Sequence, residues 1–300
     1  MSVLAYPVAL GAAAAFAVAI PLEHRAADRA PDAGELSPRQ VRAFIAATLR
    51  DGWWLGGMAL NTVGFGLHAL ALHLGGLTVV QPLLVASLLF ALPVNRWLRR
   101  EPLRPVELGW AGALVVGLSG FLLVASPGDT STTEPADRGP AVAAAVLTVL
   151  VAGALALAAR RAGRGTAATL LGVATGVLFA VTASLIKSAT GLLVQGIVPL
   201  VTSWQLYALI AAGATGLLLN QLAYQSGPLS ASLPAITVVD PLVAVLLGVT
   251  VFDERLRHSL PALVGQAILL GLMAVSGFNL ARLEQLPAEE PPGAVRGADP

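Results

Sequence analysis

LSASLPAITVVDPLVAVLLGVTVFDE, from Leu229 to Glu254, is apolar over the length of a membrane, carries one carboxylate midway, and ends in a charged step. The same design occurs earlier as LTVVQPLLVASLLFALPVNRWLRRE, from Leu77 to Glu101. The two stretches lie residue on residue, with Leu77 on Leu229, Thr78 on Ser230, Pro82 on Pro234, and Glu101 on Glu254 after a single gap. Downstream, Gly109 falls on Gly265, and Gly120-Phe121 on Gly277-Phe278, after a few more gaps. A chain that repeats a pair of spanning helices about half its length apart predicts a carrier built from two halves.

Composition agrees with lipid as the main solvent. Hydrophobic residues make up 56% and charged residues 12% of the 300, whereas a soluble domain is about 25% charged. Net charge is +1 and the basic residues sit in separate clusters, which gives no footprint for nucleic acid. The absence of cysteine excludes disulfides, thiolate nucleophiles and thiol-held metals or clusters. Lys187 is the only lysine; with the abundance of Ala, Gly and Pro, the arginine bias reads as the codon usage of a GC-rich bacterial genome.

About 20 helical residues cross the hydrocarbon core. Nine stretches approach or meet that length: Val3 to Leu22, Trp53 to Leu74, Leu77 to Trp97, Val106 to Ala125, Pro140 to Ala159, Ala167 to Leu193, Ser203 to Tyr224, Leu229 to Phe252 and Ala262 to Ala281. Pro105, Pro140 and Pro261 mark starts, where a missing N–H is harmless. Trp53, Trp54, Trp97, Trp110 and Trp204 fall near ends, where an amphipathic ring suits the interface. The first stretch lacks a basic segment before it and is read as a retained helix, not a cleaved signal.

Arginines set the expected orientation. Arg25, Arg29, Arg39, Arg42 and Arg50 follow the first stretch, Arg96, Arg99, Arg100 and Arg104 the third, and Arg160, Arg161 and Arg164 the fifth. With nine crossings these loops share the cytoplasmic side, which places the N-terminus outside and the C-terminus inside. The expected organisation is an all-α polytopic protein of the bacterial plasma (inner) membrane with about nine transmembrane helices in two inverted repeats, four plus five. Residues 1–126 form the first repeat, with a cytoplasmic loop at 23–51, residues 127–281 the second, and residues 282–300 a disordered cytoplasmic tail. Ser37 to Arg50 reads either as a short amphipathic helix on the cytoplasmic leaflet or as a solvated linker.

Polar groups within such helices are costly and mark function. Asp240 lies midway along the eighth stretch, directly before Pro241 and beyond Pro234. Proline withholds an N–H and displaces the carbonyl one turn back, so a discontinuous helix with free acceptors beside a carboxyl is expected there, with Pro82 as the corresponding break in the first half. Lys187 is either an interfacial lysine or the charge partner of Asp240. Asn61, His68 and Gln81 in the first half, and Asn220, Gln221 and Gln225 in the second, either line a polar cavity or join helices; packed, neutral burial is favoured for His68. Gly172, Gly176, Gly213 and Gly216 read as packing seams. Asp253 and Glu254, beside Arg255 and Arg257, read as a solvated cap.

Enzyme motifs fail. The letters Gly64-Phe-Gly-Leu-His-Ala mimic a dinucleotide fingerprint but lie inside an apolar helix with no strand before them. No enzyme activity and no cofactor are expected. The expected partners are the lipid bilayer and a small-molecule or cation substrate; the oligomeric state is open, a homodimer included.

WWLGGMALNTVGFGLHALALHLGGLTVVQPL, Trp53 to Leu83, resembles the NIPA-type magnesium transporters of the drug/metabolite transporter (DMT, EamA-like) superfamily. The step Arg99 to Glu101, the glycine-spaced stretch after it, Lys187, LLLNQLAY at Leu217 to Tyr224, and Pro234 with Glu254 extend that likeness over most of the chain. The resemblance implies an alternating-access transporter or facilitator, with magnesium as one candidate cargo. In that family the second helix usually carries Gly-Glu followed by Asn. Here the positions hold Gly64, Phe65 and His68, so an acidic group suited to a divalent cation is missing. Two readings therefore stand: secondary transport of a small metabolite or cation, proton-coupled through Asp240 or uncoupled, and a non-transporting membrane scaffold or subunit.

Overall fold

The computed structural model describes residues 2–27, 51–125, 138–227, 229–257 and 259–283. The expected helix at Ser37 to Arg50, most of the loop joining the halves and the tail beyond residue 283 lie outside the described residues. Within them the chain forms eleven helices: α1 (Ala5–Ala27), α2 (Gly52–Leu74), α3 (Leu77–Leu84), α4 (Ser87–Arg99), α5 (Pro105–Ala125), α6 (Arg138–Ala159), α7 (Arg164–Gln195), α8 (Ile197–Thr202), α9 (Trp204–Ser226), α10 (Leu229–Val251) and α11 (Leu260–Leu283).

Local chemistry explains several boundaries. Asp51 precedes α2, and its Oδ1 accepts the N–H groups of Trp53 at 2.7 Å and Trp54 at 3.1 Å, satisfying donors that have no partner inside the helix. Pro105 opens α5, and Glu107, two residues on, reaches back to accept the Arg104 N–H at 3.0 Å, the reciprocal half of a capping box. The short helix α8 was not foreseen. It follows Gly196, whose φ of 128° is a conformation that L side chains rarely adopt and that turns the chain sharply after the long helix α7.

Seven helical spans among the described residues are long and apolar enough to cross a membrane: Gly52–Leu74, Leu77–Leu98, Pro105–Ala125, Arg164–Gln195, Trp204–Ser226, Ala231–Val251 and Leu260–Leu283. The apolar runs Ala5–Ala19 and Val146–Ala159 are shorter. The outward faces are greasy. Leu123, Val149, Leu218, Leu246 and Ile268 are all exposed, spread over five helices, an arrangement suited to lipid tails and not to water. The protein is a polytopic helical membrane protein.

Inside, α1 packs on α2, α7 on both α9 and α10, and α5 on α11, while α3 and α4 lie against α1 and α3 against α10. Glycines set the close approaches. A Cβ at Gly64 would come within 2.7 Å of the Phe16 ring, joining α2 to α1, and one at Gly216 within 3.1 Å of the Phe179 ring, joining α9 to α7. On α7, a Cβ at Gly172 would lie 2.7 Å from the Ser232 carbonyl oxygen, and one at Gly176 2.9 Å from Val239 Cβ and 3.1 Å from Asp240 N. The seam reading therefore holds for Gly172, Gly176 and Gly216. Gly213 is looser, with Thr182 Cγ2 at an ordinary 3.8 Å. Gly176→Leu is expected to destabilise the protein by about 1–3 kcal/mol through overpacking, and Gly213→Ala to leave it near wild type, measured by thermal unfolding in detergent.

The prolines act differently from expectation. Helix α10 runs unbroken from Leu229 to Val251 through both Pro234 and Pro241, so the expected discontinuity beside Asp240 is corrected. Contact with α7 along Gly172 and Gly176 presses on the backbone on either side of Pro234 and up to Asp240, leaving no room for the helix to part. The break occurs in the other half. After Pro82 the chain makes short-range turns, with the Val85 N–H donating to Pro82 O at 3.2 Å and the Ala86 N–H to Leu83 O at 3.0 Å, before α4 begins.

Candidate functional site

Helix α10 ends as Asp253 adopts the left-handed conformation, with φ of 48°. That turn folds the next residue back into the bundle. The Glu254 N–H donates to Gly248 O at 3.0 Å, and its carboxylate enters a socket where three donors meet. It accepts the N–H of Leu77 at 2.6 Å and of Thr78 at 2.8 Å, in the first turn of α3, and is ion-paired with Lys187 of α7. Glu254 and Lys187 are 3% and 4% exposed, so neither charge is hydrated. Three effects hold the carboxylate there: the unsatisfied N–H groups of a helix start, the positive end of its dipole, and an ammonium. Lys187 Nζ also lies 4.5 Å from the centre of the Phe252 ring. The socket depends on missing side chains, because a Cβ at Gly76 or at Gly248 would sit 2.7 Å from Glu254 Oε2.

Two expectations are corrected here. Glu254 is a buried cross-bundle ligand, not a solvated cap, whereas Asp253 is exposed. Lys187 neither snorkels nor faces Asp240; its charge is taken by Glu254. The signal in the sequence was the pairing of the lone lysine with a glutamate flanked by glycines at Gly76 and Gly248, but the glycine and the glutamate are 178 positions apart.

A second ionic cluster is built on related geometry at the end of α4. Arg100 is left-handed, with φ of 57°, and with Asp253 it completes the positive-φ non-glycine residues described. The next residue, Glu101, donates its N–H to Arg96 O at 2.9 Å. The Arg96 guanidinium lies between the carboxylates of Glu101 and Glu107 and is ion-paired with both. Glu107 is fully buried, so its charge rests on Arg96 and on the Arg104 N–H.

Asp240 contrasts with these. It is half-buried in α10, and its Oδ1 is shut off from solvent with no hydrogen-bond partner among the described residues. Asn220 Oδ1 on α9 is in the same condition, although Asn220 is hydrogen-bonded to the Tyr224 hydroxyl. In the first half, His68 and Gln81 come together: both are buried, their Nε2 atoms are 3.5 Å apart, and the Phe16 ring stands edge-on to the imidazole. That is the packed environment favoured for His68. Asn61 is half-buried and Gln221 exposed, as is Gln225, so the last two do not line an interior cavity. Their helix, α9, turns that face outward.

A recess of about 240 Å³ lies where the α3–α4 break meets α10 and α11, lined by Val85, Thr237, Pro241 and Met273 among others. Asp240 is not part of its wall; its neighbour Pro241 is. No group of three or more His, Asp or Glu among the described residues is placed to hold a metal ion, and Phe65, at the position of the acidic residue of the magnesium transporters, is exposed against the edge of Phe16.

Fold and interior thus define a polytopic α-helical membrane protein with paired charges at two helix ends and an unpaired carboxyl oxygen in a spanning helix. A protein of Corynebacterium glutamicum, described as uncharacterized, is 33% identical to this chain over 288 residues, covering 96% of this chain and 98% of the relative. The chain belongs to the family of that protein. No family model matches the chain, and no solved structure matches it.

Proposed function

We propose that the protein is a secondary transporter or facilitator that moves a small metabolite or cation across the bacterial plasma membrane by alternating access. One observation carries this reading. The seven spans hold two acidic residues, Glu107 and Asp240; Glu107 is ion-paired, while Asp240 keeps a buried oxygen without a partner. An unsatisfied carboxyl at that depth is costly, and a site that must release and rebind a proton or cargo accounts for retaining it.

The halves of such a carrier are the inverted repeats expected from the sequence, with nine crossings, the N-terminus outside and the C-terminus cytoplasmic. Three parallel features support the repeat. Gly64 and Gly216, at the same register as Leu77 and Leu229, each meet a phenylalanine ring; Arg100 and Asp253 each end a helix left-handed; and Glu101 and Glu254 each bond back to the carbonyl of residues equivalent in that register, Arg96 and Gly248. Magnesium, implied by the resemblance, remains inside the proposed substrate class. The competing reading, a membrane scaffold without transport, draws support from the recess, whose lining is mainly apolar and omits Asp240.

Uptake by the purified protein in liposomes decides between them. With labelled Mg²⁺ and a panel of small metabolites, at least one compound is expected to accumulate above protein-free vesicles. Uptake of none, by protein that remains monodisperse and folded, would favour the scaffold.

A further inference from the structure

We propose that the Glu254 socket is one of two alternating gates, and that Glu101 is the corresponding gate at the opposite end of the bundle. The proposal rests on the carrier reading and specifies how its two ends open and close. Glu254 belongs to the second half but grips the start of α3 in the first, through the N–H groups of Leu77 and Thr78. This ties the halves together at one end. In the sequence register the same grip at the other end joins Glu101 to the start of α10, at Leu229 and Ser230.

The backbone at both glutamates is already formed for this exchange. Each follows a left-handed residue, and each anchors its N–H on an equivalent carbonyl, Arg96 O at 2.9 Å and Gly248 O at 3.0 Å. What differs is the side chain on that anchoring residue. Gly248 has none, and a Cβ there would strike both Glu254 Oε2 and Thr78 Cγ2 at 2.7 Å, so Glu254 is free to cross to the other half. Arg96 instead holds Glu101 within its own half. Releasing Glu101 does not strand the guanidinium, because Arg96 keeps its pairing with the fully buried Glu107. In the alternate state Glu254 lets go of Leu77 and Thr78, while Glu101 leaves Arg96 and caps α10. A carboxylate moving between an ammonium or guanidinium and a helix start exchanges one favourable partner for another, which keeps the two states close enough in energy to interconvert.

The chain has no cysteine of its own, so single cysteines report each end separately. Thr78→Cys and Ser230→Cys are labelled with a small maleimide on detergent-solubilised full-length protein, where both ends are accessible, with Glu254 intact or replaced by Gln. Glu254→Gln is expected to raise the labelling rate of Thr78→Cys about tenfold and to lower that of Ser230→Cys several-fold, because one population shift governs both ends. Faster labelling at both positions would mean general loosening and overturn the gate, as would no change at Thr78→Cys. Should Glu254→Gln fail to fold, Glu254→Asp keeps the charge but is one methylene too short to span the socket, and the same reciprocal change is expected. Reciprocal labelling in a protein that transports nothing would uphold the gate and remove the carrier; transport without reciprocity would do the reverse.

Discussion

Glu254→Ala is expected to lose about 3–5 kcal/mol of stability, the cost of breaking a buried ion pair from one side, seen as a marked fall in the apparent melting temperature in detergent. The substitution leaves Lys187 as an ammonium 4% exposed with no counter-ion and strips the acceptor from the N–H groups of Leu77 and Thr78, each of which carries its own desolvation cost. Lys187→Met is the informative companion. Alone it removes the ammonium but leaves Glu254 held by two backbone donors, so it is expected to cost less than Glu254→Ala. Combined with Glu254→Ala it is expected to recover part of the loss, since a pair replaced by apolar groups is far less harmful than a pair cut in half. Additive losses in the double variant would show that the two charges do not act as a unit and would remove the socket from any account of stability.

That socket also marks where reading the sequence stops working. Helix positions were legible because length and apolarity settle them: α5 was placed from Val106 to Ala125 and begins one residue earlier, at Pro105, and α10 was placed from Leu229 to Phe252 and ends at Val251. The fate of Glu254 was not legible locally. With Asp253, Arg255 and Arg257 as neighbours it has the composition of a hydrated turn, and only the left-handed Asp253 and the bare backbone at Gly76 and Gly248 turn it inward. Proline chemistry was ambiguous for a related reason. Pro82, Pro234 and Pro241 remove the same hydrogen bond, but whether the helix parts depends on neighbours. Packing on α7 keeps α10 whole, whereas α3 ends two residues after Pro82. The polar candidates were separated by helix face, which residue type does not encode: His68 and Gln81 meet inside, while Gln221, adjacent to Asn220, faces out.

Asp240→Asn is expected to move stability and transport in opposite directions. Asparagine has nearly the same shape and keeps an oxygen acceptor, so it fits beside Val239 and Pro241 against Gly176 without a new clash. An ionised carboxylate at the centre of a spanning helix costs about 2.5–3.5 kcal/mol on insertion scales, and the neutral amide avoids that cost in any state where Asp240 is charged. The folded protein is therefore expected to be as stable as wild type or more so in a detergent melt. Uptake in liposomes is expected to fall about tenfold or more, because an amide neither carries a proton nor balances the charge of a cation. The opposed signs separate function from architecture. If Asp240 served only to hold α10 in place, Asn would weaken folding and transport together or leave both unchanged. A variant that transports at the wild-type rate would take Asp240 out of the mechanism and leave Asn220, whose Oδ1 is also buried without a partner, as the next intramembrane group to test.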